Sequence, residues 1–324
     1  MKDVVENLRM EILNQDQWLE KLKSKNSTRT EKSKYKAMYS TWWDGIVTEP
    51  HMMMIPVDDH QVHRGDAVFE AMKWIHGKAY LQKEHLDRLE RSQKSLYLEN
   101  PLPRKQLEEI LKQTVTASKL ESALLRLFVG RGPGSFTTNP YDTLGSQFHL
   151  VVTDLTPPSK EKREKGVSLM VSKIPVKEPF WSKIKSCNYL SNVMMKKEAL
   201  DEGYDFSVGV TPEGKLTEGS TESLILIDQD GFLRRPEPDQ ILAGTTMLRI
   251  FELSETLISE GKLAGTKVRN FTLKDLKSAK EVLMVGTTID VLSVTSLEGS
   301  SLGGGTPGPV SEELNDLLIQ DQKK

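Results

Sequence analysis

Residues 184–199 read IKSCNYLSNVMMKKEA and place one lysine, Lys185, just ahead of a segment with helical spacing. Upstream, residues 167–176 read VSLMVSKIPV, whose alternation and β-branched residues predict a half-buried strand. Downstream, Gly203 is expected to end the helix. Helical spacing is shared by Tyr189, Val193, Lys196, Lys197 and Leu200. A lysine between a strand and a helix can be partly buried, and burial disfavours the charged form of an amine.

Lys185 is therefore a candidate reactive lysine. A neutral amine is the form that condenses with an aldehyde to give a Schiff base. The alternative is a solvated surface charge, which is the usual state of a lysine at such a junction. The flanking motifs decide between these two interpretations.

Glu218 follows in a predicted hairpin. Residues 203–228 read GYDFSVGVTPEGKLTEGSTESLILID, which predicts a strand, a turn at PEGK and a second strand that carries Glu218 at its start. Such a hairpin can bring a carboxylate back towards Lys185. The pyridine nitrogen of pyridoxal phosphate (PLP) needs a carboxylate partner to stay protonated, and only the protonated ring acts as an electron sink.

The order of these motifs resembles the fold type IV PLP enzymes: branched-chain aminotransferases, D-amino acid aminotransferases and 4-amino-4-deoxychorismate lyases. The resemblance implies an α/β fold with a small α/β domain and a larger β-rich domain flanked by helices. It also implies that PLP is the cofactor. Lys185 would form the internal aldimine, Glu218 would contact the ring nitrogen, and Tyr189 would hydrogen-bond the phenolic oxygen of the cofactor.

Arg88 matches the phosphate-binding arginine of this family. It lies in EHLDRLERSQKSL, residues 84–96. A guanidinium group suits a phosphate because it is permanently charged and can bind two oxygens at once. The alternative is an exposed helix arginine that pairs with Glu84 one turn away.

Two further segments match the family's phosphate site. A long apolar-periodic helix is predicted directly after Gly244, so the amides of Thr245 and Thr246 would lie at a helix N-terminus, where an anion is favoured. Alternatively, Thr245 is only an N-cap. Thr287 lies in EVLMVGTTIDVLSV, residues 281–294, and matches the last phosphate-contacting threonine.

Substrate contacts are predicted on a strand and in two loops. Residues 67–74 read AVFEAMKW, and the resemblance points the Phe69 face of this strand towards the substrate, although Phe69 could also be a core residue. For the substrate carboxylate we expect Arg131 or Arg64, each next to a glycine. The alternative for both is an ion pair with a local acid such as Asp66.

Within the family, the plant-type D-amino acid aminotransferases show the strongest likeness. The chain departs from its relatives at two places. Glu222 and Ser223 stand where many relatives have serine and asparagine, which changes the hydrogen bonding near the ring. The arginine and histidine pair of bacterial D-amino acid aminotransferases is not evident, since GPGS follows Arg131. The segments that carry the likeness begin at Pro56, Phe128 and Ser172.

Composition is that of a soluble enzyme. The 324 residues include 44 basic and 46 acidic side chains, and the net charge of −2 lacks the basic excess that is typical of nucleic-acid-binding proteins. A single cysteine excludes an internal disulfide, and we expect Cys187 to be a small packed side chain. No membrane span, signal peptide or metal site is predicted, so the cytoplasm is the expected location.

The chain divides into four predicted parts: a charged N-terminal helical extension (1–34), a small α/β domain (35–153), an interdomain linker (154–165) and a large PLP-binding domain (166–324). In the small domain we predict strands at 37–43, 68–75, 124–129 and 147–152, with helices at 83–96 and 104–118. The extension carries residues spaced as on an amphipathic helix: Val5, Leu8, Ile12, Leu19 and Leu22.

Three functions stay open at this point. The first is an aminotransferase that moves an amino group between a D-amino acid or a branched-chain amino acid and a 2-oxo acid. The second is aminodeoxychorismate lyase, which eliminates pyruvate after the same deprotonation. The third is a non-catalytic binding protein on the same scaffold. The resemblance also implies a homodimer, because aminotransferases of this family usually complete the site with a loop of the partner subunit.

Overall fold

A computed structural model describes residues 10–30 and 33–324 and shows two sheets with flanking helices, which confirms the α/β class. The helices are α1 Gln15–Thr30, α2 His60–His63, α3 Gln82–Ser95, α4 Arg104–Ser118, α5 Lys160–Lys165, α6 Pro179–Ser182, α7 Leu190–Asp201, α8 Thr245–Ser259, α9 Leu273–Ser278 and α10 Pro309–Gln322. Short 3₁₀ turns lie at Pro50–Met52, Pro140–Asp142 and Gly303–Gly305.

The strands fall into two groups along the chain. Those of the first sheet are β1 Tyr35–Ser40, β2 Gly45–Val47, β3 Ala67–Ile75, β4 Lys78–Ala79, β5 Ala123–Gly130 and β6 Gln147–Asp154. Those of the second sheet are β7 Val167–Val171, β8 Phe206–Val210, β9 Leu216–Gly219, β10 Ser223–Ile227, β11 Phe232–Arg235, β12 Gly265–Val268, β13 Glu281–Gly286, β14 Asp290–Leu297 and β15 Ser300–Ser301. The domain boundaries drawn from the sequence stay a prediction.

The first sheet has the order β2-β1-β6-β5-β3-β4 and is antiparallel throughout. Helices α3 and α4 pack on one face, where the alternate residues Met72, Leu125 and Leu127 join Leu86 and Leu111 in a hydrophobic core. Side chains on the other face of β3 and β5 are therefore free to line a site.

The second sheet has the order β12-β11-β10-β13-β14-β7-β8-β9, with β15 beside β14. Strands β9 and β10 are far apart in this order but follow each other in the chain through a tight turn, in which the Gly219 N–H donates to the Glu222 carbonyl at 2.8 Å. The sheet must therefore curl. The turn also breaks the single strand that we predicted around Glu218 into two.

The segment that carries Lys185 lies along β3. The Phe69 N–H donates to the Lys185 carbonyl at 2.8 Å, and the Cys187 N–H donates to the Ala67 carbonyl at 2.7 Å. Because β4 covers only the far end of β3, this segment supplies hydrogen bonds to the uncovered edge. Helix α6, and not a strand, precedes Lys185, so the predicted strand-to-helix junction is wrong.

A buried ion pair joins the two sheets. The Lys73 ammonium on β3 pairs with the Asp290 carboxylate at the start of β14, and both side chains are almost completely buried. The Gln322 amide donates to Asp290 at 2.8 Å, and the neighbouring Asp321 accepts from the Tyr80 hydroxyl at 2.6 Å. The end of α10 thus holds both sheets together. We call these five residues the clasp.

Strand β7 is shorter than predicted and ends at Val171 instead of Val176. Beyond it, the Lys173 N–H donates to the Glu198 carboxylate at 3.1 Å and the Ile174 N–H donates to the Ser172 hydroxyl. Side chains replace the neighbouring strand as hydrogen-bond partners there. The predicted linker likewise contains a short helix, α5, capped by the Ser159 hydroxyl.

Helix α7 has the predicted extent but a different buried face. Val193 and Leu200, which we placed on its apolar face, are more than half exposed. The Asn192 amide instead donates to the Ser220 carbonyl at 2.6 Å and fixes the rotation of the helix. The buried positions of α7 are Asn192, Met195 and Ala199.

In the N-terminal segment, helix α1 lies against the Pro50–Met52 turn. Ile12 and Leu19 are exposed and Leu22 is partly buried, so the expected apolar face is only partly buried here. Val5 and Leu8 lie outside the described residues. Each helix in the described part of the chain is too short or too polar to cross a membrane.

Candidate active site

A cavity of about 210 Å³ lies between the two sheets. It is much larger than the roughly 30 Å³ that one water molecule occupies in the liquid, so it can hold a small organic molecule. The first sheet contributes Phe69, Ala71 and Arg126 to its wall, the second contributes Glu218, and the loop after β13 contributes Thr287. Phe69 is almost fully buried and lines the cavity, outside the core cluster that contains Met72 and Leu125.

Lys185 projects into this cavity beside two aromatic rings. Its Nζ lies 4.6 Å from the centroid of the Phe69 ring and 5.8 Å from that of Tyr189. Burial, together with the nearby Arg88 charge, lowers the pKa of Lys185 to about 8. A larger share of this amine is therefore neutral at physiological pH than in a solvated lysine. The interpretation of Lys185 as a solvated surface charge is wrong.

Glu218 lies on the same cavity, at the end of β9. Its Oε2 accepts the Leu242 N–H at 3.1 Å. Burial raises the pKa of Glu218 to about 7, although that hydrogen bond and the Lys185 charge act in the opposite direction. An amine and a carboxyl group whose pKa values both move towards neutrality are typical of a catalytic site.

Arg88 lies in the cavity wall, held by a buried carboxylate. Its Nε and Nη2 donate to Glu70 at 2.6 and 2.8 Å, and its Nη1 donates to the Ala243 carbonyl at 3.0 Å. Arg88 is buried and pairs with Glu70 instead of Glu84, so the exposed-helix alternative is wrong. Arg88 is thus positioned by Glu70 on β3, the strand that also carries Phe69.

Glu70 also holds His85. The His85 Nδ1 lies 2.7 Å from the Glu70 carboxylate, and its Nε2 lies 3.2 Å from the Thr245 hydroxyl. Burial alone would raise the pKa of Glu70, but the Arg88 charge and the hydrogen bonds from Arg88 and His85 lower it far below its usual range. Glu70 is therefore a carboxylate in the folded protein.

Helix α8 begins at Thr245, with Gly244 as its N-cap, so the N-cap alternative for Thr245 is wrong. Thr245 and Thr246 both line the cavity, and the first N–H groups of a helix have no partner within it. A Cβ on Gly244 would lie 2.6 Å from the Ser223 hydroxyl. Only glycine therefore allows this close approach of the helix start to β10.

Tyr189 and Glu222 complete the wall. The Tyr189 ring meets Phe69 edge to face at 5.1 Å, and burial raises the pKa of its phenol. The Glu222 carboxylate accepts the Thr221 N–H at 3.0 Å and the Ser220 hydroxyl at 3.3 Å. The hydrogen bonds that Glu222 makes in place of the usual serine are thus local to the turn.

Two of the predicted substrate residues lie away from the cavity. Arg131 donates to both Asp66 oxygens at 2.9 and 3.1 Å, and also to the carbonyls of Leu96 and Tyr97 at 2.8 Å. Arg64 donates to the Phe136 carbonyl. The alternative that we gave for Arg131, a pair with Asp66, agrees with this geometry.

Arg126 is a charged cavity residue that sequence reasoning missed. It lies directly opposite Ala71 in the register of β5 and β3. Within residues 10–30 and 33–324, its guanidinium forms no hydrogen bond or ion pair. The sequence does contain an indication of this residue, because Arg126 is the single charged residue in the apolar strand ALLRLFVG and lies on the same face as Phe128.

Comparisons with known proteins agree with this site. Residues 67–297 match the family model of amino-transferase class IV. The chain is 35% identical over 288 residues to the chloroplastic D-amino-acid transaminase of Arabidopsis thaliana, covering 89% of this chain and 76% of that protein. It is 27% identical to the D-alanine aminotransferase of Bacillus licheniformis, over 85% of this chain and 94% of that one.

Among solved structures, the T.th. branched-chain amino acid aminotransferase, complexed with N-(5'-phosphopyridoxyl)-L-glutamate, superposes with a TM-score of 0.81. The two chains are 25% identical, and the match covers 90% of this chain and 95% of the other. The family model spans the strand with Phe69, the lysine segment and both threonine loops. The chain therefore belongs to the class IV aminotransferases, an enzyme family that uses PLP.

Proposed function

We propose that this protein transfers an amino group between a D-amino acid and a 2-oxo acid, with PLP as its cofactor. The observation that carries the proposal is the placing of Lys185, Glu218 and Arg88 on one cavity, next to the N-terminus of α8. The cavity joins an amine of lowered pKa, a carboxylate and a site for a dianion. PLP requires these three features.

The residues present fit the cofactor. Lys185 would hold its aldehyde, Glu218 its ring nitrogen and Tyr189 its phenolic oxygen. The phosphate would bind at the helix start with Arg88, and the phosphate contacts there would also include Thr245, Thr246 and Thr287. When bound, PLP withdraws electrons from the substrate Cα. Lys185, once displaced by the amino acid, would take the proton from Cα and deliver it to the C4′ carbon of the cofactor, which makes one side chain both the attachment point and the general acid/base.

For the substrate carboxylate we propose Arg126 in place of Arg131 and Arg64. Arg126 reaches the cavity and is not engaged by another described residue, whereas the guanidinium of Arg131 is already bound to Asp66. A free guanidinium can bind a carboxylate through two parallel hydrogen bonds. The choice of a D-amino acid rests on the Arabidopsis relative, and a branched-chain L-amino acid is the second candidate, favoured by the likeness to the branched-chain aminotransferase structure.

A half-reaction with the PLP-loaded protein tests the function. Separate samples receive D-alanine, L-leucine or aminodeoxychorismate, and the visible absorbance of the cofactor is followed. Conversion to the pyridoxamine form by D-alanine is the expected result, and conversion by L-leucine alone would establish the branched-chain alternative. Pyruvate release from aminodeoxychorismate with an unchanged cofactor would make the protein a lyase, and no lysine-bound cofactor at all would favour a binding protein.

Arg126→Gln is expected to raise the KM for the amino acid about tenfold to a hundredfold, since it removes one charged bidentate contact. Retention of PLP should be unchanged. Steady-state kinetics of Arg126→Gln, Arg131→Gln and Arg64→Gln, measured side by side, check the assignment. A larger KM effect at Arg131 or Arg64 would return the role to the residue originally predicted.

We further propose that the protein is a homodimer. Several large apolar side chains in the segments that follow β1, β2 and β5 are exposed in the single chain, among them Trp42, Met52, Phe136 and Leu144. Light scattering during size-exclusion chromatography should give about twice the mass of 36.6 kDa. A single-chain mass at micromolar concentration would contradict this proposal. A cytoplasmic location also stays a prediction, since the Arabidopsis relative is chloroplastic.

A further inference from the structure

Lys177 lies behind the candidate cofactor site and has no role in the chemistry described so far. It belongs to the irregular segment between β7 and α6 and is partly buried. Its Nζ lies 4.5 Å from the centroid of the Tyr189 ring, within the range of a cation–π contact. The ring of Tyr189 is thus flanked by two lysines, Lys177 and Lys185.

Lys177 and Glu218 share a second, small cavity. Its volume is about 20 Å³, close to the minimum that one water molecule needs. Glu218 lines both cavities, whereas Lys177 lines only the small one and Lys185 lines only the large one. Glu218 therefore stands between the two lysines. Within the part of the chain that the structure describes, no carboxylate lies within ion-pair distance of the Lys177 ammonium.

Glu218 faces several other charged or titratable groups. On the large cavity these are the cations Lys185 and Arg88, the phenol of Tyr189 and the second carboxylate, Glu222. Both of these cations are committed elsewhere. Arg88 is paired with Glu70, and in the proposed function Lys185 is covalently engaged by a carbonyl carbon.

We propose that Lys177 is a positioning residue whose charge keeps Glu218 ionised from the side away from the cofactor, and so keeps the proton on the cofactor ring nitrogen. This inference rests on the proposed function. It adds a second lysine to the site, with a role that does not involve contact with the substrate or the cofactor.

The titration of the two groups agrees with this role. Burial lowers the pKa of Lys177, and the Glu218 charge acts to raise it again. Reciprocally, the Lys177 charge is one of the influences that lower the pKa of Glu218 against the effect of burial. Removing Lys177 must then raise the Glu218 pKa and favour transfer of the shared proton from the ring nitrogen to the carboxylate.

The test uses PLP labelled with ¹⁵N in its ring and bound to the full-length protein. The ¹⁵N chemical shift distinguishes a protonated from an unprotonated pyridine nitrogen. Lys177→Met removes the charge, Lys177→Arg keeps it, and Lys183→Met is a control at an exposed lysine just after α6. In Lys177→Met the ratio of protonated to unprotonated nitrogen should fall about tenfold at neutral pH, the size expected for one partly buried neighbouring charge.

Lys177→Arg and Lys183→Met should give the wild-type shift. A wild-type ¹⁵N chemical shift in Lys177→Met would overturn the inference. Loss of the protonated form in both Lys177 variants would also overturn it, because the effect would then come from the packing of the side chain and not from its charge. If Lys177→Met binds PLP poorly at pH 7, recovery of binding at pH 9 supports the inference, because at that pH Glu218 ionises without the Lys177 charge. A defect that does not respond to pH overturns it.

The inference and the proposed function fail in different ways. A wild-type protein that takes up no lysine-bound PLP contradicts the proposed function. A wild-type protein that binds PLP normally, with an unresponsive Lys177→Met variant, contradicts the inference alone.

Discussion

Lys185→Ala is expected to remove essentially all transamination, a loss of several orders of magnitude, because the one lysine among the described residues that lines the cavity is both the proposed attachment point and the proposed proton carrier. The visible band of lysine-bound cofactor should disappear as well. Absorbance after reconstitution with PLP and a coupled assay for 2-oxo acid formation measure the two effects.

Lys183→Ala is the matched control for this experiment. Lys183 lies two residues away on the same segment but is exposed, so its variant should keep both the absorbance band and the activity. Substantial transamination by Lys185→Ala would show that the site has been assigned to the wrong lysine.

Glu70→Gln is expected to lower the free energy of unfolding by about 3–5 kcal/mol, the usual effect of removing one partner from a buried ion pair. Glu70 is completely buried, and its two oxygens accept from Arg88 and His85. The amide cannot neutralise the Arg88 charge, and it offers one acceptor where the carboxylate offers two. Affinity for PLP should fall too, because Arg88 lies in the cavity wall.

Urea denaturation at several pH values measures this change, with Glu84→Gln, at an exposed position of α3, as the control. The pKa of Glu70 is lower in the folded protein than in the unfolded chain. The contribution of its carboxylate to the free energy of unfolding is therefore complete above the unfolded pKa of about 4.3 and is lost as the pH falls towards the folded pKa. The difference between wild type and Glu70→Gln should therefore be largest at neutral pH and should shrink in acid. A difference below about 1 kcal/mol at pH 7 would contradict the expected role of the pair.

The local elements were largely predictable from the sequence. Apolar periodicity predicted α4 with both of its ends, and α3 and α8 to within a residue at the start. The motif order placed Lys185, Glu218 and the helix start at Thr245 on one site, and the structure brings all three to one cavity. Short, strongly patterned segments determine their own structure, which is why these predictions succeed.

The contacts between elements were not predictable in the same way. Glu70 and Arg88 lie on a strand and a helix whose packing no local pattern encodes, so Glu84 was the only partner that spacing suggested. The rotation of α7 is set by the hydrogen bond from Asn192 to a distant turn, which outweighs the burial of Val193. Arg126 lies within β5, opposite Ala71, and lines the cavity, whereas Arg131 lies in the loop after β5 and pairs with Asp66.

The clasp between the sheets has a consequence for motion. Separating the sheets would break the Lys73–Asp290 pair together with the hydrogen bonds from Gln322 to Asp290 and from Tyr80 to Asp321. These contacts must break together, so the clasp favours the closed arrangement of the two sheets. The clasp therefore opposes hinge opening of the two sheets. We expect the width of the cleft between the sheets to stay nearly constant while the substrate enters and leaves.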